Sequence, residues 1–174
     1  LPHCLVSATN SQPRTVRILT RGNFLLETGD TVQPALPAYL VGSPPPSADR
    51  RLNRLDLADW LVSRDNPLPA RVVMNRLWKQ FFGLGLSRVV DDLGAQGELP
   101  PNQPLLDWLA VEFMDQGWSL KRVLRLVMTS RTYQQHSAVT PSLLAEDPLN
   151  RLLARGPRLR VDAEIVRDIA LSTS

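Results

Sequence analysis

"PARVVMNRLWKQFFGLGLSRVVDDLGAQG", residues 69–97, decides the fold, because it passes from an apolar stripe at helical spacing into a loop punctuated by glycines. Pro69 suits the first turn of a helix, where its missing N–H costs no hydrogen bond. Val73, Leu77, Trp78 and Phe81 then recur along one side until Gly83 ends the pattern. The connection from Gly83 to Gln103 is long for a compact helical domain, which marks it as a binding loop or an internally packed excursion.

Working outward, Pro104 opens a further helix carrying Leu105, Leu106, Leu109, Ala110 and Phe113, which Gly117 stops. Ser119 is placed to cap the next. In it Leu120, Val123, Leu124, Val127 and Met128 face one way and Lys121, Arg122 and Arg125 another. After the looser "SAVTPSLLAEDP", Asp162 can cap a fifth helix with Ile165, Val166 and Ile169 turned inward. Upstream, Leu57, Trp60 and Leu61, with Leu52 and Ala58, predict a first helix that ends near Ser63 and is capped by Ser47 or Asp49. "GSPPPSADR", residues 42–50, is a stiff proline linker. Before it, Val16, Ile18 and Phe24 support at most one short strand, and "GDTVQPALPAYL" reads as extended chain. The expected fold is mainly α: a compact bundle of about five amphipathic helices over 51–174, with an extended, Pro-rich N-terminal arm over 1–50 packing on it.

The chain has 174 residues and is 43% hydrophobic, enough for one ordinary domain with a real core. Its formal charge of +3 is weak ground for nucleic-acid binding. All but Lys79 and Lys121 of the 20 cations are Arg, a bias that fits internal salt bridges or a GC-rich genome. Cys4 is the single cysteine, so neither a disulfide nor a cysteine metal cluster forms within this chain. No run is long and apolar enough to span a membrane, and no charged-then-apolar stretch in this segment reads as a signal peptide.

Paired carboxylates suit acid–base catalysis, but adjacent Asp91 and Asp92 do not converge by spacing alone; a turn cap or a partner such as Arg76 or Arg88 is the simpler use. Arg71 and Asn75 share a helix face and can hold an anion or a sugar oxygen, or tie down the backbone of the following loop. Trp60, Trp78, Trp108 and Trp118 lie in or beside amphipathic helices, which favours core over a stacking surface. His3 and His136 have no second ligand at metal spacing. "GLGLSRVVDDLG" lacks the Gly-Lys-Ser/Thr ending of a phosphate loop, and the Lys121, Arg122, Arg125 and Arg131 cations read as a solvated helix side. The candidate polar cluster, for ligand or for structure, is Arg71, Asn75, Arg76, Asp91 and Asp92 with Trp78. No catalytic set, metal site or cofactor is expected.

Asn66-Pro67-Leu68, Asn75-Arg76 with Trp78, Phe82-Gly83-x-Gly85-Leu86, Leu106-Asp107-Trp108-Leu109-Ala110, Gly117-Trp118-Ser119 and Ser130-x-Thr132-Tyr133 are specific as a set. Together with "DPLNRLLARGPRLRVDAEIVRDIAL", they resemble the planctomycete-type domain of unknown function 1553, from about Arg14 onward. The resemblance implies a region of large, exported, cell-envelope bacterial proteins, sometimes alongside a cytochrome-c-like domain, with more chain beyond Ser174. It supplies no catalytic residues, and the haem signature of that neighbouring domain is absent here. The expected role is a non-catalytic helical interaction or scaffold module whose partners are neighbouring domains of the same polypeptide. The alternative is a hydrolase or binding domain acting on an acidic or hydroxylated extracellular polymer.

Overall fold

The computed structural model describes residues 8, 10–25, 28–40 and 50–173. Cys4, His3 and the proposed caps Ser47 and Asp49 lie outside them. Among the described residues there are six α-helices and one two-stranded antiparallel sheet, so the mainly α expectation holds with one helix more than predicted. Contacts divide the chain into two compact units, with the boundary between Asn66 and Pro67.

In the first unit the predicted single strand is a hairpin. Strand β1 (Val16–Arg17) pairs with β2 (Thr31–Val32), Val16 opposite Val32. The extended reading of "GDTVQ" therefore missed a partner strand, which two residues of pairing cannot announce as alternation. Helix α1 (Arg54–Leu61) starts two residues later than Leu52, because Asn53 caps it. The Asn53 side chain accepts from Leu55 N–H at 2.7 Å, and the Asp56 carboxylate returns the favour to Asn53 N–H at 2.7 Å, a reciprocal capping box. The Arg50 guanidinium, and after it the Asn53 N–H, hold the Asp56 carboxyl down at about 2. Leu57 and Leu61, expected inward, are exposed, and nothing in α1 is fully buried.

The second unit holds the core. Helix α2 (Leu68–Phe82) lies against α3 (Gln103–Asp115), and α3 against α4 (Leu120–Met128). Ala70, Met74 and Trp78 from α2 meet Leu106, Leu109, Ala110 and Phe113 from α3 and Val123 and Val127 from α4, with Leu86 added from the loop. The α2 stripe is thus centred on Met74, with Val73, Leu77 and Phe81 on its partly buried shoulders. Each fully buried side chain of this kind contributes about 1.5–3 kcal/mol.

Helix ends follow local chemistry. At the end of α3, Gly117 N–H bonds to Met114 C=O at 3.0 Å and Trp118 N–H to Phe113 C=O at 2.9 Å, while the Trp118 ring meets Phe113 edge-on at 5.1 Å. That is a Schellman turn with its hydrophobic contact, and it needs the positive φ of Gly117, 67°. Ser119 precedes α4 as expected, but its hydroxyl makes no capping bond. Leu120 and Met128, expected inward, are about half exposed. Trp108 is also half exposed, at odds with the core reading of all four tryptophans.

Two expectations fail downstream. The "SAVTPSLLAEDP" stretch contains α5 (Pro141–Glu146), capped by the Thr140 hydroxyl on Leu143 N–H. Helix α6 (Ala163–Thr173) forms where predicted, yet Ile165, Val166 and Ile169 are exposed rather than inward. Its stripe has the right period for burial, but no described element covers it.

Candidate functional site

The candidate residues sit on α2 and on the loop that follows it. Asn75 is fully buried and turned to the loop backbone: its Nδ2 donates to Ser87 C=O at 2.9 Å, and its Oδ1 accepts from Ser87 N–H at 2.9 Å. The amide thereby replaces the neighbouring strand that the Ser87 peptide groups lack. Gly85 is obligatory at this join, because a Cβ there would stand 2.4 Å from Ser87 C=O and 2.7 Å from Asn75 Oδ1.

Arg71 points elsewhere. Its Nε bonds Asp107 of α3 at 2.6 Å and its Nη1 bonds Pro67 C=O at 2.8 Å, while Gln103 Nε2 joins the same Asp107 oxygen at 2.9 Å. The Arg71 hydrogen bond, working against burial and helped by the Arg71 charge and Gln103, holds the Asp107 carboxyl below its ordinary range. Arg76 pairs with Asp91 at 2.8 Å on the open surface. Asp92 Oδ1 accepts from Gly94 N–H at 2.9 Å, closing a turn. Trp78 is buried and stacks on Phe82 at 4.0 Å. The structure therefore places the five polar residues in four separate local arrangements, Arg71 on Asp107 and Pro67, Asn75 on the Ser87 backbone, Arg76 and Asp91 on each other, and Asp92 on Gly94 N–H, with Trp78 in the core.

A polar buckle that the sequence reading did not single out lies at residues 147–156. Buried Asp147 accepts from Arg151 N–H at 2.8 Å and Leu152 N–H at 2.7 Å. Arg155, also buried, donates to Asp147 C=O at 2.9 Å and Pro148 C=O at 3.0 Å. Both ends of the Asn150 amide are taken by the Arg155 backbone. Burial acts to raise the Asp147 carboxyl, but the Leu152 and Arg151 N–H groups and the charges of Arg155 and Arg151 outweigh it and leave the group depressed. The clue was the Asp-Pro-x-Asn spacing, which favours turns; nothing local marked the Arg as inward.

Beside this buckle is a small cavity of about 30 Å³, walled by Trp78, Phe82, Leu86, Leu149 and Leu153 and rimmed by Arg88 and Arg151. Arg151 also pairs with Glu98 at 2.5 Å. Among the described residues, no group of three or more His, Cys, Asp or Glu is arranged to hold a metal ion. No helix of the described residues is long and apolar enough to cross a membrane.

A family model described as "Protein of unknown function (DUF1553)", PSD1, matches residues 53–174. The chain belongs to this DUF1553 family. No curated protein and no solved structure matches it. In this DUF1553 chain the motifs picked out in the sequence have structural assignments. The Asn75-Arg76 pair fastens the loop, Gly85 admits the Asn75 amide, Asp107 receives Arg71, and Gly117-Trp118 turns the chain between α3 and α4. Ser130 and Tyr133 close the turn after α4: Ser130 Oγ donates to Val127 C=O and accepts from Tyr133 N–H, setting the Tyr133 ring edge-on to Phe81 and Phe82. His136 Nδ1 accepts from Ala138 N–H, and its carbonyl accepts from Gly156 N–H.

Proposed function

We propose that this region is a non-catalytic helical interaction or scaffold module of a large, exported, cell-envelope bacterial protein, docking against neighbouring domains of the same polypeptide, among them a cytochrome-c-like domain in some arrangements. The observation that carries the reading is that Arg71, Asn75, Arg76, Asp91 and Asp92 are spent in four separate local interactions, one of them the Arg76–Asp91 pair itself. Side chains that serve a substrate converge on shared space; side chains that serve a scaffold satisfy loop backbone. The exposed stripe of Ile165, Val166 and Ile169 supports the docking half of the proposal, since a lone helix of this length is marginal in water without a packed face.

The test offers acidic and hydroxylated polysaccharides to the chain and follows both binding and cleavage. The proposal expects no interaction that depends on the polar cluster. Saturable binding or turnover abolished by Arg76→Ala or Asp92→Ala, with the circular dichroism spectrum unchanged, would overturn it. In a polypeptide that includes the adjacent domains, Ile165→Glu with Ile169→Glu should raise the protease sensitivity of α6; identical digestion patterns would remove the docking argument.

A further inference from the structure

The cavity beside Trp78 has an imbalance of hydrogen-bonding side chains. Trp78 is only 6% exposed, yet its indole N–H meets no acceptor among the described residues. Buried indoles ordinarily find one. Among the described residues the only sealed side-chain polar atom without a partner is Gln116 Oε1, so the Trp78 N–H keeps a path to solvent. Arg88 at the rim is exposed and makes no hydrogen bond or ion pair within the described residues. Arg151 gives one Nη2 to Glu98 and keeps the remainder of its donor fork. Asn150, the lining amide, is fully used by Arg155. The unspent side-chain capacity of the lining is therefore all donor: two guanidinium groups and one indole.

A lining whose uncommitted side-chain groups are donors, and in which Arg88 brings a positive charge not already ion-paired as that of Arg151 is with Glu98, selects an acceptor, and a carboxylate matches guanidinium geometry best. Phe82, Leu86 and Leu149 add apolar surface on one side of the lining, which locally strengthens a charge-assisted bond made against it. The space of about 30 Å³ is large enough for one small group such as a carboxylate. We propose that this cavity is a carboxylate-binding site, taking the acid group of a small aliphatic acid or of a glutamate or aspartate side chain presented by a peptide. Arg88 supplies the charge, the part of the Arg151 fork not held by Glu98 supplies a second donor, and the Trp78 indole supplies a neutral one. This goes beyond the scaffold reading and does not depend on it.

The experiment records the indole N–H resonances of the four tryptophans by ¹⁵N correlation spectroscopy while propionate is added to the whole chain. Propionamide and sodium chloride of equal ionic strength serve as controls, and a blocked glutamate dipeptide is the second probe. The Trp78 resonance should move saturably with propionate and stay in place with both controls, and Arg88→Gln should weaken the response about tenfold. Assignment by Trp78→Phe is backed by backbone connectivities should that variant fail to fold. Tighter response to the dipeptide assigns the site to a protein partner, and tighter response to propionate to a free acid; either supports the site. No saturable shift up to about 50 mM propionate, an equal shift with chloride, or an unchanged response in Arg88→Gln overturns it.

Discussion

Replacing Asn75 with Ala removes one small amide and strands two backbone groups. Ser87, 1% exposed, would keep its N–H and C=O in the interior without the 2.9 Å partners that Asn75 provides. Each buried peptide group left unpaired costs about 1–3 kcal/mol, so the pair sets a loss of about 2–6 kcal/mol, less whatever a water entering the vacated space recovers. Urea unfolding should register this as a lower midpoint with an unchanged slope. Hydrogen exchange should show the Ser87 amide losing protection more than those of α3. Asn75→Asp separates the two bonds: a carboxylate still accepts from Ser87 N–H but faces the Ser87 carbonyl with a second acceptor. Protonation restores a donor, so the folded-state pKa of that variant is raised. Its deficit should therefore shrink as pH falls through the folded value and be complete at neutral pH. An Asn75→Ala chain within about 1 kcal/mol of the parent would refute the reasoning, since it would mean that the loop finds other partners without cost.

Asp107 and Asp147 are both depressed in the folded state, so what they contribute is fully present above the ordinary carboxylate range near pH ~4 and fades as pH falls through their folded values. The double variant Asp107→Asn/Asp147→Asn should be less stable at pH 7 and lose less on acidification; parallel acid limbs in the two proteins would count against this. Gly85→Ala should be destabilised to a similar extent as Asn75→Ala, because the added Cβ meets Ser87 C=O and the Asn75 amide. Combining the two should cost clearly less than their sum in the same unfolding assay, and full additivity would show that they do not act on one join. Arg76→Ala breaks only an exposed ion pair, and its unfolding midpoint should correspond to a loss under about 1 kcal/mol.

The three central helices were legible because burial and helical period agree there: Leu106, Leu109, Ala110 and Phe113 repeat at helical spacing and are buried. Period alone misled at α6, where Ile165, Val166 and Ile169 carry the same signal and lie open. A stripe announces that a face seeks cover, not that this stretch of chain supplies it. Helix α5 escaped because six residues are too few for periodicity, although Thr140-Pro141 was a readable start signal. The start of α1 was missed because the Asn53 and Asp56 box outranks the first apolar residue as a boundary. At the candidate site the residue types were legible and their partners were not. Asn75 reaches Ser87, Arg71 reaches Asp107, and Arg155 turns back on Asp147; such pairings depend on where the backbone passes, which local spacing does not encode.

The Asn75 amide grips position 87 through its peptide groups, never through the seryl hydroxyl, which turns instead to Glu98 C=O at 3.4 Å. Such a clasp is indifferent to the identity of the residue it holds and strict about the two that make it. Across family members, position 87 should drift among small residues that fit the same tight space, whereas the asparagine and the glycine at 85 should be kept or lost as a pair.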